Sequence, residues 1–161
     1  MIPIDAFSQP TLRRADWTNQ EQDTPQAILL YRQPQPGQRA LRLLAKLGIT
    51  TEHVALCPHD QVDAVMFTGC SMILYEADNT HLAELQATLT WVRTSSKAPL
   101  VVLMNAAHTE QTLLALVAGA DAVITPPMKP AIVVAHCRAL LRRWRQTGHK
   151  PPMLAAVTAA Q

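Results

Sequence analysis

The chain is poor in several features that would identify an activity at once. Its 5 glycines are scattered, so the sequence has no glycine-rich loop that could cradle a phosphate group. No apolar run approaches the length of a membrane span, and the N-terminus lacks the charged region and long apolar core of a secretion signal. We therefore expect a cytoplasmic protein without a membrane-spanning segment.

Cysteine is also scarce. Cys57, Cys70 and Cys137 are odd in number, far apart and surrounded by apolar residues, which indicates buried thiols in a reducing compartment and no disulfide framework. His53, Cys57 and His59 lie close in sequence, but a structural zinc site needs four ligands and no second close pair exists. The sequence therefore predicts no metal site.

Acidic residues are absent after Asp121, although the formal net charge of the whole chain is only +2. Arg138, Arg142 and Arg145 recur at helical spacing in this last part and predict a basic stripe on one helix. The stripe fits either a solvated face, where cations favour the end of a helix, or a dimer contact. Binding of nucleic acid through its phosphates is the weaker alternative.

The pattern along the chain divides it into three parts. Residues 1–25 are polar and irregular and predict a loose extension. Residues 26–146 alternate between short apolar runs and segments of helical periodicity, and they contain enough apolar side chains for one domain with its own core. Residues 147–161 are rich in alanine and predict a tail or linker.

Five short segments bounded by turn residues, four of them containing apolar runs, predict β-strands. They are Ala27–Tyr31, Thr51–Cys57, Met72–Glu76, Leu100–Met104 and Ala122–Ile124. A helical segment follows each strand, and the second of these helices is short, from Asp60 to Phe67. Asn79 or Thr80 is expected to cap the third helix, and Thr109 the fourth. This alternation predicts an α/β fold with a doubly wound parallel sheet, in the flavodoxin-like order 2-1-3-4-5, between two layers of helices.

Several stretches resemble a response-regulator receiver (CheY-like) domain. Gly119–Met128 resembles the family's ending, in which Gly-Ala-Asp, an apolar strand and Thr-Lys-Pro-Phe follow one another. Ile28–Tyr31 is similar to the first strand, Pro99–Leu103 to the fourth, and Ala131–Arg145 to the last helix. The resemblance covers residues 26–146 and implies a module of two-component signalling (a phosphorelay) or of transcription regulation.

The resemblance also implies where a phosphorylation site would lie. Glu76 occupies the position of the phosphoacceptor aspartate, and Arg32 and Gln33 replace the acidic pair that holds magnesium. Met104 stands at the hydroxyl position and Pro126 at the lysine position. Phosphoryl transfer depends on a metal ion and on charge neutralisation, so these changes predict a degenerate pseudo-receiver that is neither phosphorylated nor an enzyme.

Two roles are open for the Glu76 carboxylate at the end of its buried strand. It could mimic a phosphorylated aspartate, paired with Arg32, or it could be a solvated carboxylate at a degenerate site, where ion pairs contribute little. Asp78 is a further candidate phosphoacceptor if the strand register is displaced by two residues.

Two hypotheses of function follow. The first is a phosphorylation-independent signalling module that binds a protein partner or forms a homodimer through the last helix and the fifth strand, as the resemblance implies. The alternative is a flavodoxin-like domain that binds a small ligand at the carboxyl ends of the strands. Such a cleft would be lined by Arg32, Gln33, Glu76, Asn105 and Thr125. Neither hypothesis includes a cofactor.

Overall fold

The computed structural model describes residues 27–56, 63–78, 80–106 and 108–148. The predicted N-terminal extension and nearly all of the predicted tail lie outside these ranges, as do Cys57 and His59. In the described part of the chain, no helix has the length and hydropathy needed to cross a membrane.

Five parallel strands form one sheet in the order β2-β1-β3-β4-β5, which confirms the predicted flavodoxin-like topology. The three central strands are buried along nearly their whole length, as expected for a sheet covered on both faces. The second strand is two residues shorter than predicted. The strands are β1 (Ala27–Tyr31), β2 (Thr51–Ala55), β3 (Met72–Glu76), β4 (Leu100–Leu103) and β5 (Ala122–Ile124).

In the described ranges, four helices cover the sheet, two on each face. Side chains alternate between the faces along each strand, so that Leu29 and Leu74 pack against one pair of helices while Ile28 and Ile73 pack against the other. The first pair is α1 (Gln38–Leu47) and α4 (Pro130–Gln146), and the second is α2 (Leu82–Ser95) and α3 (Thr109–Val117). The short helix predicted up to Phe67 is, where described, a single 3-10 turn (Ala64–Phe67).

The helix starts differ from the predicted caps. Thr80 is buried, and its hydroxyl donates to the carbonyl of Asp78 and caps no helix. The helix α2 begins later, at Leu82, directly after His81. Thr109 is the first residue of α3 and follows His108, whose side chain makes no capping hydrogen bond. The hydroxyl of Thr80 is thus used within the loop after β3 and is not available to the helix.

The described cysteines are buried, as predicted. Cys70 and Cys137 are free thiols in the two halves of the core. Burial raises the pKa of each thiol to about 11, so both remain protonated at neutral pH.

The outward face of α3 is apolar. Leu113, Leu116 and Val117 are 58%, 45% and 85% exposed, whereas the small Ala115 is fully buried. These three exposed residues are called the α3 patch below. Apolar residues at this helical spacing normally face a core, and the spacing alone does not distinguish an inward face from an outward one.

Candidate functional site

Glu76 ends β3 and is buried, with 6% of its surface exposed. Its two carboxylate oxygens accept the backbone N–H of Gly37 at 2.9 and 3.0 Å. Gly37 immediately precedes α1, so the carboxylate lies against the start of that helix, where free N–H groups and the helix dipole favour a negative charge. Glu76 is therefore held by backbone and is not a solvated loop carboxylate.

The contact between Glu76 and Gly37 requires the absence of a side chain at position 37. A Cβ atom built there would lie 2.9 Å from Oε2 of Glu76 and 3.4 Å from its Cδ. The backbone of Gly37 has φ −67 and ψ 146, which any residue can adopt. Close approach of the carboxylate, and not backbone conformation, is thus what selects glycine.

Arg39 supplies the positive charge at this end of the sheet. It lies in the first turn of α1, and its Nη1 and Nη2 donate to the carbonyls of Met104 and Ile124, each at 3.2 Å. The guanidinium therefore joins α1 to the ends of β4 and β5. Arg39 was not among the site residues predicted from the sequence. The available signal was a cation in the first turn of a helix, where the dipole disfavours it unless other acceptors are near.

The environment of Glu76 raises the pKa of its carboxyl above the ordinary value of 4.5. Desolvation by burial is the main cause, and the nearby Asp78 acts in the same direction. The Gly37 N–H, Arg39 and His53 oppose this rise. Burial therefore outweighs the groups that stabilise the charge.

The raised pKa of Glu76 predicts a pH-dependent contribution to stability. Above pH 4.5 the Glu76 carboxyl loses its proton in the unfolded chain but still holds it in the folded protein. The stabilisation that comes from this difference in pKa is therefore largest below pH 4.5 and falls as the pH rises through the folded-state pKa. In Glu76→Gln this dependence is absent, and the stability of the variant relative to wild type should rise with pH. Urea unfolding of both proteins between about pH 4 and 8 measures the difference.

A matched variant, Glu110→Gln, controls for the loss of one carboxylate from the exposed surface. A stability difference between Glu76→Gln and wild type that stays constant over the same pH range would contradict the prediction.

Asp78 connects two loops at the same end of the sheet. Its Oδ1 accepts the backbone N–H of Asn105 at 2.6 Å, which ties the turn after β3 to the turn after β4. Asp78 and Asn105 both line a pocket of about 260 Å³ beside Glu76. The remaining lining residues are Gly37, Gln38, Arg39, Ala40, Leu103 and Met104.

Arg32 does not pair with Glu76, so the ion pair considered for the phospho-mimic role is not formed. Its Nη1 lies 2.8 Å from Oε1 of Glu84 in α2, and its Nη2 donates to the hydroxyl of Thr88 at 2.7 Å. Its Nε donates to the hydroxyl of Tyr75 at 3.2 Å. Tyr75 and Glu76 are consecutive strand residues and point to opposite faces, and Arg32 lies on the Tyr75 face.

Comparison with solved structures gives the same architecture. A two-component response regulator from Clostridium difficile is 19% identical, with a TM-score of 0.53 over 73% of this chain and 96% of that one. A CheY-like protein (tadZ) from Pseudomonas aeruginosa is 16% identical, with a TM-score of 0.55 over 71% and 98%. The chain has the receiver fold. A putative pilus assembly protein from Sinorhizobium meliloti is also similar, at 16% identity, with a TM-score of 0.51 over 71% and 98%.

At these identities the likeness concerns the fold alone. The sequence matches no family model and no curated protein.

Of the other residues at receiver-site positions, Met104 lines the pocket beside Glu76, whereas Gln33 and Pro126 do not. Gln33 is exposed and has no hydrogen bond to any described residue, and Pro126 is exposed and joined to Pro127 by a cis peptide bond. Met104 is buried and donates its N–H to the carbonyl of Ile124. Two of the five residues predicted to line a ligand cleft, Glu76 and Asn105, do line one pocket together. The other three, Arg32, Gln33 and Thr125, do not line it.

The groups around Glu76 do not fit the magnesium ion on which receiver phosphorylation depends. Magnesium takes oxygen ligands, usually one or two carboxylates with waters and phosphate oxygens. Glu76 and Asp78 already accept backbone N–H groups, and the cation of Arg39 lies in the same pocket. Among the described residues, no three His, Cys, Asp or Glu side chains form a group that could hold a metal.

The predicted basic stripe lies on the exposed side of α4. Arg138, Arg142 and Arg145 are all exposed, and Nη2 of Arg138 is 3.5 Å from the carbonyl of Lys46. Lys46 belongs to α1, so at Arg138 the stripe borders α1.

Proposed function

We propose that this chain is a phosphorylation-independent, receiver-like module of a signalling or transcriptional regulator, and that it acts through protein contacts. The observation that carries this proposal is the bond between the Glu76 carboxylate and the Gly37 N–H. A receiver's chemistry needs a free carboxylate beside a metal ion, whereas this carboxylate is buried and bonded to the start of α1.

The proposal predicts that acetyl phosphate and magnesium leave the protein unmodified. Glu76 is engaged by Gly37 and Asp78 by Asn105, so neither carboxylate is free to attack a phosphoryl group. Intact mass spectrometry of the full chain, with a working receiver treated in parallel, should show no phosphoryl adduct. Glu76→Asp should also stay unmodified, because Arg32 and Gln33 replace the metal-binding acidic pair. An adduct on the wild type that disappears in Glu76→Ala would refute the proposal.

The proposed contact surface is the face formed by α3, β5 and α4, and the proposed partner is a second copy of the chain. The α3 patch supports this choice, because adjacent exposed apolar side chains gain free energy when a partner covers them. Receivers commonly dimerise through the corresponding face, which adds to the argument from the fold.

Charge substitutions in the α3 patch are expected to weaken self-association at least about tenfold, since each would place a carboxylate in an apolar contact. The test is sedimentation equilibrium of the wild type and of Leu113→Glu/Val117→Glu. Leu82→Glu is a matched control, because Leu82 is 41% exposed but lies on α2. A wild type that stays monomeric, or a double variant that associates as the wild type does, would refute this face.

A further inference from the structure

A second concave site lies between α1 and α4, and it shares Arg39 and Leu103 with the Glu76 pocket. It is a groove of about 230 Å³ at the ends of β4 and β5. Its apolar lining includes Leu43, Leu103, Ile124, Val133, Val134 and Met128. None of the three α3 patch residues lines this groove, and of the receiver-site positions Pro126 lines it while Glu76 does not.

Three cations border the groove along one side of α1. Arg39, Arg42 and Lys46 all line it, at the spacing i, i+3 and i+7, which places them on one face of the helix. No carboxylate is among the described residues that line it. In addition, neither α1 nor α4 contains an acidic residue, so both helices on this face of the sheet carry positive charge alone.

None of these cations forms an ion pair with a described carboxylate, although Arg39 lies near enough to Glu76 to oppose the rise of the pKa of that carboxyl. The two ion pairs in the described part of the chain, Arg32–Glu84 and Arg93–Asp121, involve neither α1 nor α4. Arg42 and Lys46 form no side-chain hydrogen bond to a described residue, whereas Arg39 is fixed at the groove by the carbonyls of Met104 and Ile124. The groove therefore combines an apolar interior with one positioned cation and two free ones.

We propose that this groove binds a small organic acid with a short apolar body. The apolar part would lie on Leu43, Ile124 and Val133, and the carboxylate would meet Arg39, Arg42 and Lys46. Each non-hydrogen atom of such a ligand takes roughly the volume of a water molecule, about 30 Å³. The groove thus holds about eight of these atoms, with the carboxylate at its rim.

The apolar interior separates this ligand class from a polyanion. Nucleic acid binds mainly through its phosphates to exposed cations and gains nothing from an enclosed apolar floor. An organic acid with an alkyl body would use both the apolar interior and the cations of the groove. Burial of the alkyl body and charge-assisted hydrogen bonds to the carboxylate would both favour its binding.

Octanoate is a suitable probe, with octan-1-ol and acetate as controls for the charge and for the apolar body. Calorimetry and amide NMR on the full chain should show saturable binding of octanoate and shifts at α1 and α4. Octan-1-ol and acetate should each bind at least about tenfold more weakly. The affinity for octanoate is expected between high micromolar and millimolar, because so small a ligand makes few contacts.

Arg42→Gln/Lys46→Gln is expected to weaken octanoate binding at least about tenfold. Both positions are exposed on α1, so the fold should persist, and circular dichroism verifies this. Arg143→Gln removes an exposed cation of α4 that does not line the groove, and it should bind octanoate as the wild type does.

The proposal is overturned if octanoate fails to bind the wild type, binds no better than octan-1-ol, or binds the double variant equally well. The single variant Arg42→Gln serves the same comparison if the double variant is unfolded. These outcomes are independent of the α3 patch and of acetyl phosphate, so loss of this proposal leaves the proposed function standing.

Discussion

Arg32→Ala is expected to lower the free energy of unfolding by about 2 to 4 kcal/mol. Removing the guanidinium leaves the hydroxyl of the fully buried Tyr75 and that of the buried Thr88 without their Arg32 hydrogen bonds. Each buried polar group without a partner costs about 1 to 3 kcal/mol. The ion pair with Glu84 lies at the surface and adds about 1 kcal/mol or less. Urea unfolding at neutral pH measures the change.

Two further variants isolate the cause of that loss. Arg42→Ala removes an arginine without a partner among the described residues and should change stability by less than about 0.5 kcal/mol. Tyr75→Phe in the Arg32→Ala background removes the orphaned hydroxyl and should recover part of the loss. An Arg32→Ala variant as stable as Arg42→Ala would show that the three contacts of Arg32 contribute nothing.

Gly37→Ala is expected to destabilise the protein by about 1 to 3 kcal/mol. The new methyl group would lie 2.9 Å from Oε2 of Glu76, so the carboxylate would have to move away. Because Glu76 is buried, its displaced charge would lose the Gly37 N–H without gaining full hydration. Chemical denaturation of the wild type and the variant gives the difference.

The same substitution should have the opposite sign when Glu76 is alanine. The backbone of Gly37 suits any residue, so an alanine there reduces the entropy of the unfolded chain and stabilises by about 0.4 to 1 kcal/mol. A double-mutant cycle over Gly37→Ala and Glu76→Ala measures this coupling. If Gly37→Ala costs the same in both backgrounds, the Glu76 contact is not the reason for the glycine.

The sequence was sufficient for the fold because four of its five strands contain apolar runs with clear turn residues between them. Met72–Glu76 is an example, because its apolar residues predict a buried strand and its last residue, Glu76, lies at the centre of the candidate site. The parallel order then follows from the alternation of strands and helices and from right-handed crossovers.

The site was harder to predict because it depends on side-chain direction and on backbone groups. Arg32 was expected beside Glu76, but one residue of difference along a strand moves a side chain to the other face. The partner of Glu76 is an N–H group of Gly37, which no residue type indicates. The α3 patch has the same spacing as a buried face, so its exposure depends on how the helix rotates against β5.

The bond between Gly37 and Glu76 also bears on how this chain can change over generations. An aspartate at position 76 is one methylene shorter and would withdraw its oxygens from the Gly37 N–H, while any side chain at position 37 would displace the glutamate. Each position thus restricts the substitutions that the other accepts. Relatives of this chain should therefore keep glycine and glutamate together or replace both.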